Sequence, residues 1–288
     1  MINGFRKEMM FFARGGRLVG LILVMLGLAL MSPLMFGSMS SMMQTLKDTL
    51  PDDPSYTQMI ELYSSFSAAD MIMYNVTQIT GIGAIVILFL FKGAAGGEQK
   101  KRSVMIPQCA GLTPEKYVIP KFLLYPFIVF AVTFISMIVG AWVSVLMFPG
   151  DIRWDMVILC SVCTGVYLAF STVMQFCIGL CTGRSNTAVV AVILLDMFLP
   201  SILAFFRVDR FNPFALSSIA TNSAILSGES ANKLLAATGT ASTSNDVSML
   251  NVAVSLGTAL VISVLLFFLT IFTLHTKEVH NEGDEPVL

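Results

Sequence analysis

Six apolar runs, each long enough to cross a bilayer, constrain this chain more than any other feature. They cover residues 18–43, 71–91, 122–148, 156–182, 185–206 and 247–274, and a single charge, Asp196, falls inside them. About 20 mostly apolar residues in a helix span the hydrocarbon layer. The chain is therefore read as an all-α membrane protein with one transmembrane domain over residues 1–288 and six transmembrane helices. Composition agrees: only 12% of residues are charged, against about 25% in soluble domains. The first run follows Arg6, Lys7, Arg14 and Arg17 and precedes Ser38 and Ser40, which resembles a cleaved signal. Its apolar core is too long, because signal cores run about 7–15 residues.

Orientation follows from lysine and arginine, which accumulate in cytoplasmic connections. With the N-terminus inside, twelve of the 17 basic residues fall in inner segments and five in outer ones. Both termini are expected in the cytoplasm, with the cell membrane of a bacterium as the location. The short connection at Gly183 and Arg184 makes spans four and five an antiparallel hairpin.

Three segments outside the spans have character of their own. Residues 1–17 place Phe5, Met9 and Phe12 on one helical face with Lys7 and Arg14 elsewhere, the pattern of a helix lying in the membrane interface. Residues 92–121 carry six basic residues. Residues 207–246 form an outer segment longer than a turn requires, and 275–288 form a cytoplasmic tail. The stretch KGAAGGEQKK, starting at Lys92, has the look of a phosphate-binding loop but fails its pattern. From Gly93 the second glycine would fall at Glu98, and Lys100 comes too late for the G-x-x-x-x-G-K-[ST] spacing. Nucleotide is therefore not expected on this chain, and a net charge of −1 gives no field for nucleic acid.

No catalytic set is legible. The two histidines, His275 and His280, lie at the tail, no H-E-x-x-H or G-x-S-x-G occurs, and Asp196 has no acidic companion in any span. Cys160, Cys163, Cys177 and Cys181 have helical spacing that admits a metal, but small packing residues are the plainer reading. The methionines of span one could form a soft lining for hydrophobic or peptide cargo, with ordinary membrane packing again the plainer reading. The chain is thus expected not to be an enzyme, with no metal and no cofactor of its own.

Asp196 is the sharpest single residue. A carboxylate at mid-span costs about 2.5–3.5 kcal/mol on insertion scales and must face protein or water. Pro200, four residues on, cannot bond the Asp196 carbonyl. The position reads either as a cation, proton or substrate site, or as a structural hydrogen bond to Gln175 or to Asn75 and Gln78, which share a face of span two.

With the spans placed, the layout resembles the permease subunits of type-2 ABC exporters. Glu98 stands at the family's acidic position after span two, Ser103 at the threonine of its Gly-Thr pair, and Lys121 at the lysine entering span three. Arg102, Gly111 and Pro114 depart from the family's glycine, proline and basic residue, with Lys116 two positions beyond, and Pro120 replaces a glycine. The N-terminal segment, with Lys7 and Glu8, is similar to the family's elbow helix. Asn212, Pro213 and Phe214 resemble the motif that opens its outer re-entrant hairpin.

The resemblance implies that residues 92–121 form cytoplasmic coupling helices, in which Glu98, Arg102, Ser103, Gly111, Thr113, Pro114, Lys116 and Lys121 contact a separate ATPase subunit present in two copies. ATP and magnesium would be held by that partner. A second permease chain, as a homodimer, would complete a pathway lined by Asn75, Gln78, Asp196 and Pro200, carrying a peptide, drug or other amphipathic compound. Two alternatives from the residues themselves are an ion-coupled secondary carrier using Asp196 and a non-transporting membrane sensor or immunity protein.

Overall fold

The computed structural model describes residues 2–49, 66–97, 113–206, 208, 211–228 and 249–283. Its elements are helices, with no strand among the described residues. In chain order, α1 (Ile2–Arg14) is followed by α2 (Arg17–Thr49) and α3 (Ala68–Gln78), which passes through a π-helical turn (Ile79–Gly83) into α4 (Ala84–Phe91). A second short π-helical turn (Gly93–Gly97) precedes α5 (Pro114–Met147), α6 (Trp154–Thr182), α7 (Ser185–Phe205), α8 (Ala215–Ile225) and α9 (Met249–Gly283). Six stretches are long and apolar enough to cross a membrane: Arg17–Met39, Ala68–Phe91, Glu115–Met147, Trp154–Thr182, Ser185–Phe205 and Met249–Thr276. They are the six runs of the sequence, so the chain has the build of a multi-pass membrane protein.

Boundaries show why each helix starts and stops where it does. α1 is set off from α2 by Gly15 and Gly16, and Gly16 takes a left-handed φ of 66° that favours glycine. α3 opens with a capping box. Ser67 donates its hydroxyl to Asp70 at 2.7 Å and its backbone N–H at 2.8 Å, and the Asp70 N–H returns to the Ser67 oxygen at 3.4 Å. Thr113 and Pro114 begin α5, with proline where its missing N–H costs nothing. α6 ends at Gly183, again at a φ of 66°, and α7 starts two residues later. It continues through Pro200 without a break in the helix.

α6 is the central post. Two thirds of its most apolar window is buried, against 17% for α7 and for α9. Close backbone approach explains part of this: a Cβ at Gly179 would overlap the Ala95 carbonyl of the second π-helical turn. The glycines and alanines of the GAAGG stretch thus serve packing, with Ala94 and Ala95 fully buried.

Two span borders differ from the sequence reading. The third span starts near Pro114 rather than at 122, and Lys121 is a fully buried residue of that helix. A charged residue ends a span only when nothing neutralises it, and Lys121 is neutralised. Asp70 is likewise not a loop residue but a buried cap at the start of span two. In α1, Glu8 and Phe12 are buried against the bundle, while Met9 is exposed.

Candidate functional site

At the end of the bundle nearest α1, four elements meet around a buried ion pair. Lys121, on the second turn of α5, places its ammonium 3.3 Å from Glu8 Oε1. Tyr125, one turn further on, donates its hydroxyl to Glu8 Oε2 at 3.0 Å. Lys121 also donates to the Ala94 carbonyl at 3.3 Å, and its Nζ lies 4.9 Å from the centre of the Tyr117 ring. Glu8 is 3% exposed and Lys121 fully buried. Burying two charges is costly unless geometry is good and the remaining lone pairs are satisfied. Both Glu8 oxygens are engaged, and Lys121 has the Ala94 carbonyl and the Tyr117 ring face besides, which meets that condition.

An aromatic shell covers the pair. The Tyr125 ring is 5.4 Å from Phe12, 5.2 Å from Phe91 and 5.0 Å from Phe176, centroid spacings at which edge and offset contacts are favourable. α1, the end of span two, the start of span three and α6 are thereby joined at one node.

A second site lies at mid-depth. Tyr167, halfway along α6, donates its hydroxyl to Asp196 Oδ2 at 2.9 Å. Beside it, Phe214 is 6.3 Å from the Tyr167 ring and 5.4 Å from Phe170. Phe214 is positioned by a local turn in which Asn212 Oδ1 accepts the Phe214 N–H at 3.0 Å and Pro213 fixes the backbone. From there α8 runs back toward the start of α6, where Ser227 accepts the Arg153 N–H at 2.9 Å. A cleft of about 460 Å³ opens at that end, lined by Ser67, Gly150, Arg153 and Ser227 among others.

The residues singled out in the sequence distribute as follows. Asp196 and Phe214 come together around Tyr167, with Asn212 and Pro213 shaping the turn. Asp196 does not bond to Gln175, Asn75 or Gln78; a carboxylate takes the nearest donor its neighbouring helix offers, and that is the Tyr167 hydroxyl. Gln175 instead donates to the Leu88 carbonyl. Asn75 is 1% exposed and faces Gly140 of α5, and among the described residues neither of its amide atoms has a hydrogen-bond partner, nor has Gln78 Oε1. Lys121 pairs with Glu8, while Thr113, Pro114 and Lys116 occupy the start of α5. Glu98, Arg102, Ser103 and Gly111 lie outside the described residues.

Tyr125 and Tyr167 were not singled out in the sequence. Each is a tyrosine inside an apolar run, where its body counts as hydrophobic and its hydroxyl goes unnoticed. The signal available was the rule that a buried Tyr O–H finds a partner, which directs attention to the few carboxylates in or near the spans. Cys160, Cys163 and Cys177 are buried free thiols among apolar neighbours and Cys181 is half-buried. No group of acidic, histidine or cysteine side chains with metal-binding arrangement occurs among the described residues. No protein-family model, curated protein or solved structure matches the chain.

Proposed function

We propose that the chain is the membrane-spanning permease subunit of an ATP-driven type-2 ABC exporter, working as a homodimer with two copies of a separate ATPase subunit. The observation that carries this reading is the Glu8–Lys121–Tyr125 node. It joins the two residues that the family resemblance marks independently, one in the N-terminal helix and one at the entry to span three. In this reading α1 is the elbow helix, residues 98–112 dock on the ATPase, and α8 with its Asn212–Phe214 turn is the outer re-entrant segment.

The mechanism is one of leverage. ATP binds the closed pair of ATPase subunits better than the open pair, and that preference alone sets how far the equilibrium shifts. The docked segment moves with the ATPase. The node passes the displacement to α1, α5 and the end of span two together, because a desolvated ion pair inside an aromatic shell cannot stretch cheaply. Spans two and five then change their exposure, bringing Asn75, Gln78 and Asp196 to a pathway between the two chains. Both termini and residues 98–112 are cytoplasmic in the cell membrane.

The test is co-purification of the tagged full-length chain from its native membrane. An ATPase with a Walker A sequence should accompany it and should be lost when residues 98–112 are replaced by a glycine-serine linker of equal length. Recovery of the chain with no ATPase would sink the proposal. A second reading, an ion-coupled carrier, draws on the Asp196–Tyr167 pair at mid-depth; it requires transport in vesicles that hold the chain alone without nucleotide.

A further inference from the structure

We propose that the Asp196–Tyr167 pair is the recognition point for hydrophobic monocations, compounds whose single positive charge is quaternary or delocalised within an apolar aromatic body. The inference rests on the permease reading and names the cargo class of that same site.

It starts from a carboxylate that has no basic side chain paired to it among the described residues. Asp196 sits midway along α7 and is only half-buried, and its hydrogen-bond partner among the described residues is the neutral Tyr167 hydroxyl. Basic residues within the six spans stand at their ends, at Arg17, Lys116, Lys121 and His275, and Lys121 is engaged by Glu8. A mid-membrane carboxylate without a counter-charge is expensive, and a bound cation would balance it.

The surroundings select the kind of cation. Divalent ions take about six or more oxygen ligands, whereas the site offers one carboxylate and one hydroxyl. What it offers in quantity is soft and aromatic surface. Met197 and Phe198, adjoining Asp196, are 65% and 57% exposed, and Ile202 is half exposed. Behind them Phe214 packs on Tyr167 and Phe170 on Phe214, all three buried, so these rings hold the Tyr167 hydroxyl in place while Met197 and Phe198 supply the open surface. Aromatic faces attract cations, most strongly diffuse ones that shed water easily, and methionine adapts to many shapes. In a homodimer the second chain covers the open side of α7 and doubles the carboxylates and the aromatics. Sign of charge is then selected strictly and shape loosely.

The test uses the purified full-length chain in neutral phosphatidylcholine nanodiscs, without nucleotide or ATPase. Tritiated tetraphenylphosphonium and tetraphenylborate, near-isosteric ions of opposite charge, are compared by equilibrium binding after subtraction of empty discs. Saturable tetraphenylphosphonium binding is expected, weakened about ten-fold or more in Asp196→Asn and restored in Asp196→Glu, with no saturable tetraphenylborate binding. Asp196→Asn binding the cation as the native chain does, or the native chain binding both ions alike, overturns the proposal. The second comparison needs no variant, so it decides even if Asp196→Asn does not fold. Cation binding in a chain that recruits no ATPase would retain this assignment and refute the exporter. An ATPase-bound chain that ignores the cation would do the reverse.

Discussion

Glu8 and Lys121 show how a pair of residues is judged by what each would be alone. Either charge left unpartnered in this aromatic pocket has lost its water without gaining a counter-ion, which costs about 3–5 kcal/mol. Glu8→Leu and Lys121→Met should each therefore destabilise the chain on that scale. The double variant removes both charges and should recover most of the loss, giving a strongly non-additive cycle in thermal unfolding measured in detergent. Additive effects would mean that the ammonium and carboxylate do not depend on each other. Tyr167→Phe should be milder. It removes one hydrogen bond between membrane helices, a class averaging about 0.6 kcal/mol and reaching about 1.7, and a loss well above that in the same unfolding assay would show a structural rather than a recognition role for the hydroxyl.

At the scale of elements, α6 supports its neighbours through a surface that two kinds of residue keep close. Buried Ser161, Thr164, Ser171 and Thr172 return their hydroxyls to carbonyls one turn back, between 2.7 and 3.0 Å, so polar side chains face packed helices without leaving a donor unpaired. Gly179 lets the Ala95 carbonyl in. Gly179→Val should push the second π-helical turn off α6 and cost about 1–3 kcal/mol, as overpacking does. Gly27→Ala is the control: nothing lies within 4 Å of a Cβ there, and exchanging glycine for alanine in a helix interior should stabilise by about 0.5–1 kcal/mol. Equal effects of the two in thermal unfolding would contradict the packing described. The six spans were legible because an apolar run of bilayer length has few other uses. Their edges were less so. Spans two and three were read as starting at 71 and 122, just past Asp70 and Lys121, a rule that fails when a charge is held by a cap three residues away or by Glu8 from a distant part of the chain. Asp196 was marked by its charge, but its partner Tyr167 was hidden, because helix-to-helix pairing depends on which faces meet and one sequence does not encode that visibly.

For the molecule as a whole, an even number of spans sets the two chain ends on one side, and the connections alternate between the two ends of the bundle. Gly183 and Arg184 lie at the end where the Ala95–Gly179 contact and the Glu8–Lys121 pair are found. Arg153 lies at the other, beside Ser227 and the start of span two. Energy coupling makes the choice of side a sharp question, since ATP is available only in the cytoplasm, and residues 98–112 must be there for an ATPase to grip them. Single cysteines at these two exposed arginines, introduced on a background in which all five native cysteines are replaced by serine or alanine, report it directly. A membrane-impermeant maleimide should label Arg153→Cys on intact cells and reach Arg184→Cys only after permeabilisation. The distribution of lysine and arginine demands this outcome, with more than twice as many on the Arg184 side. The opposite labelling would place the polar segment outside the cell, where no nucleotide could drive it, and the leverage attributed to the Glu8–Lys121 node would have nothing to transmit.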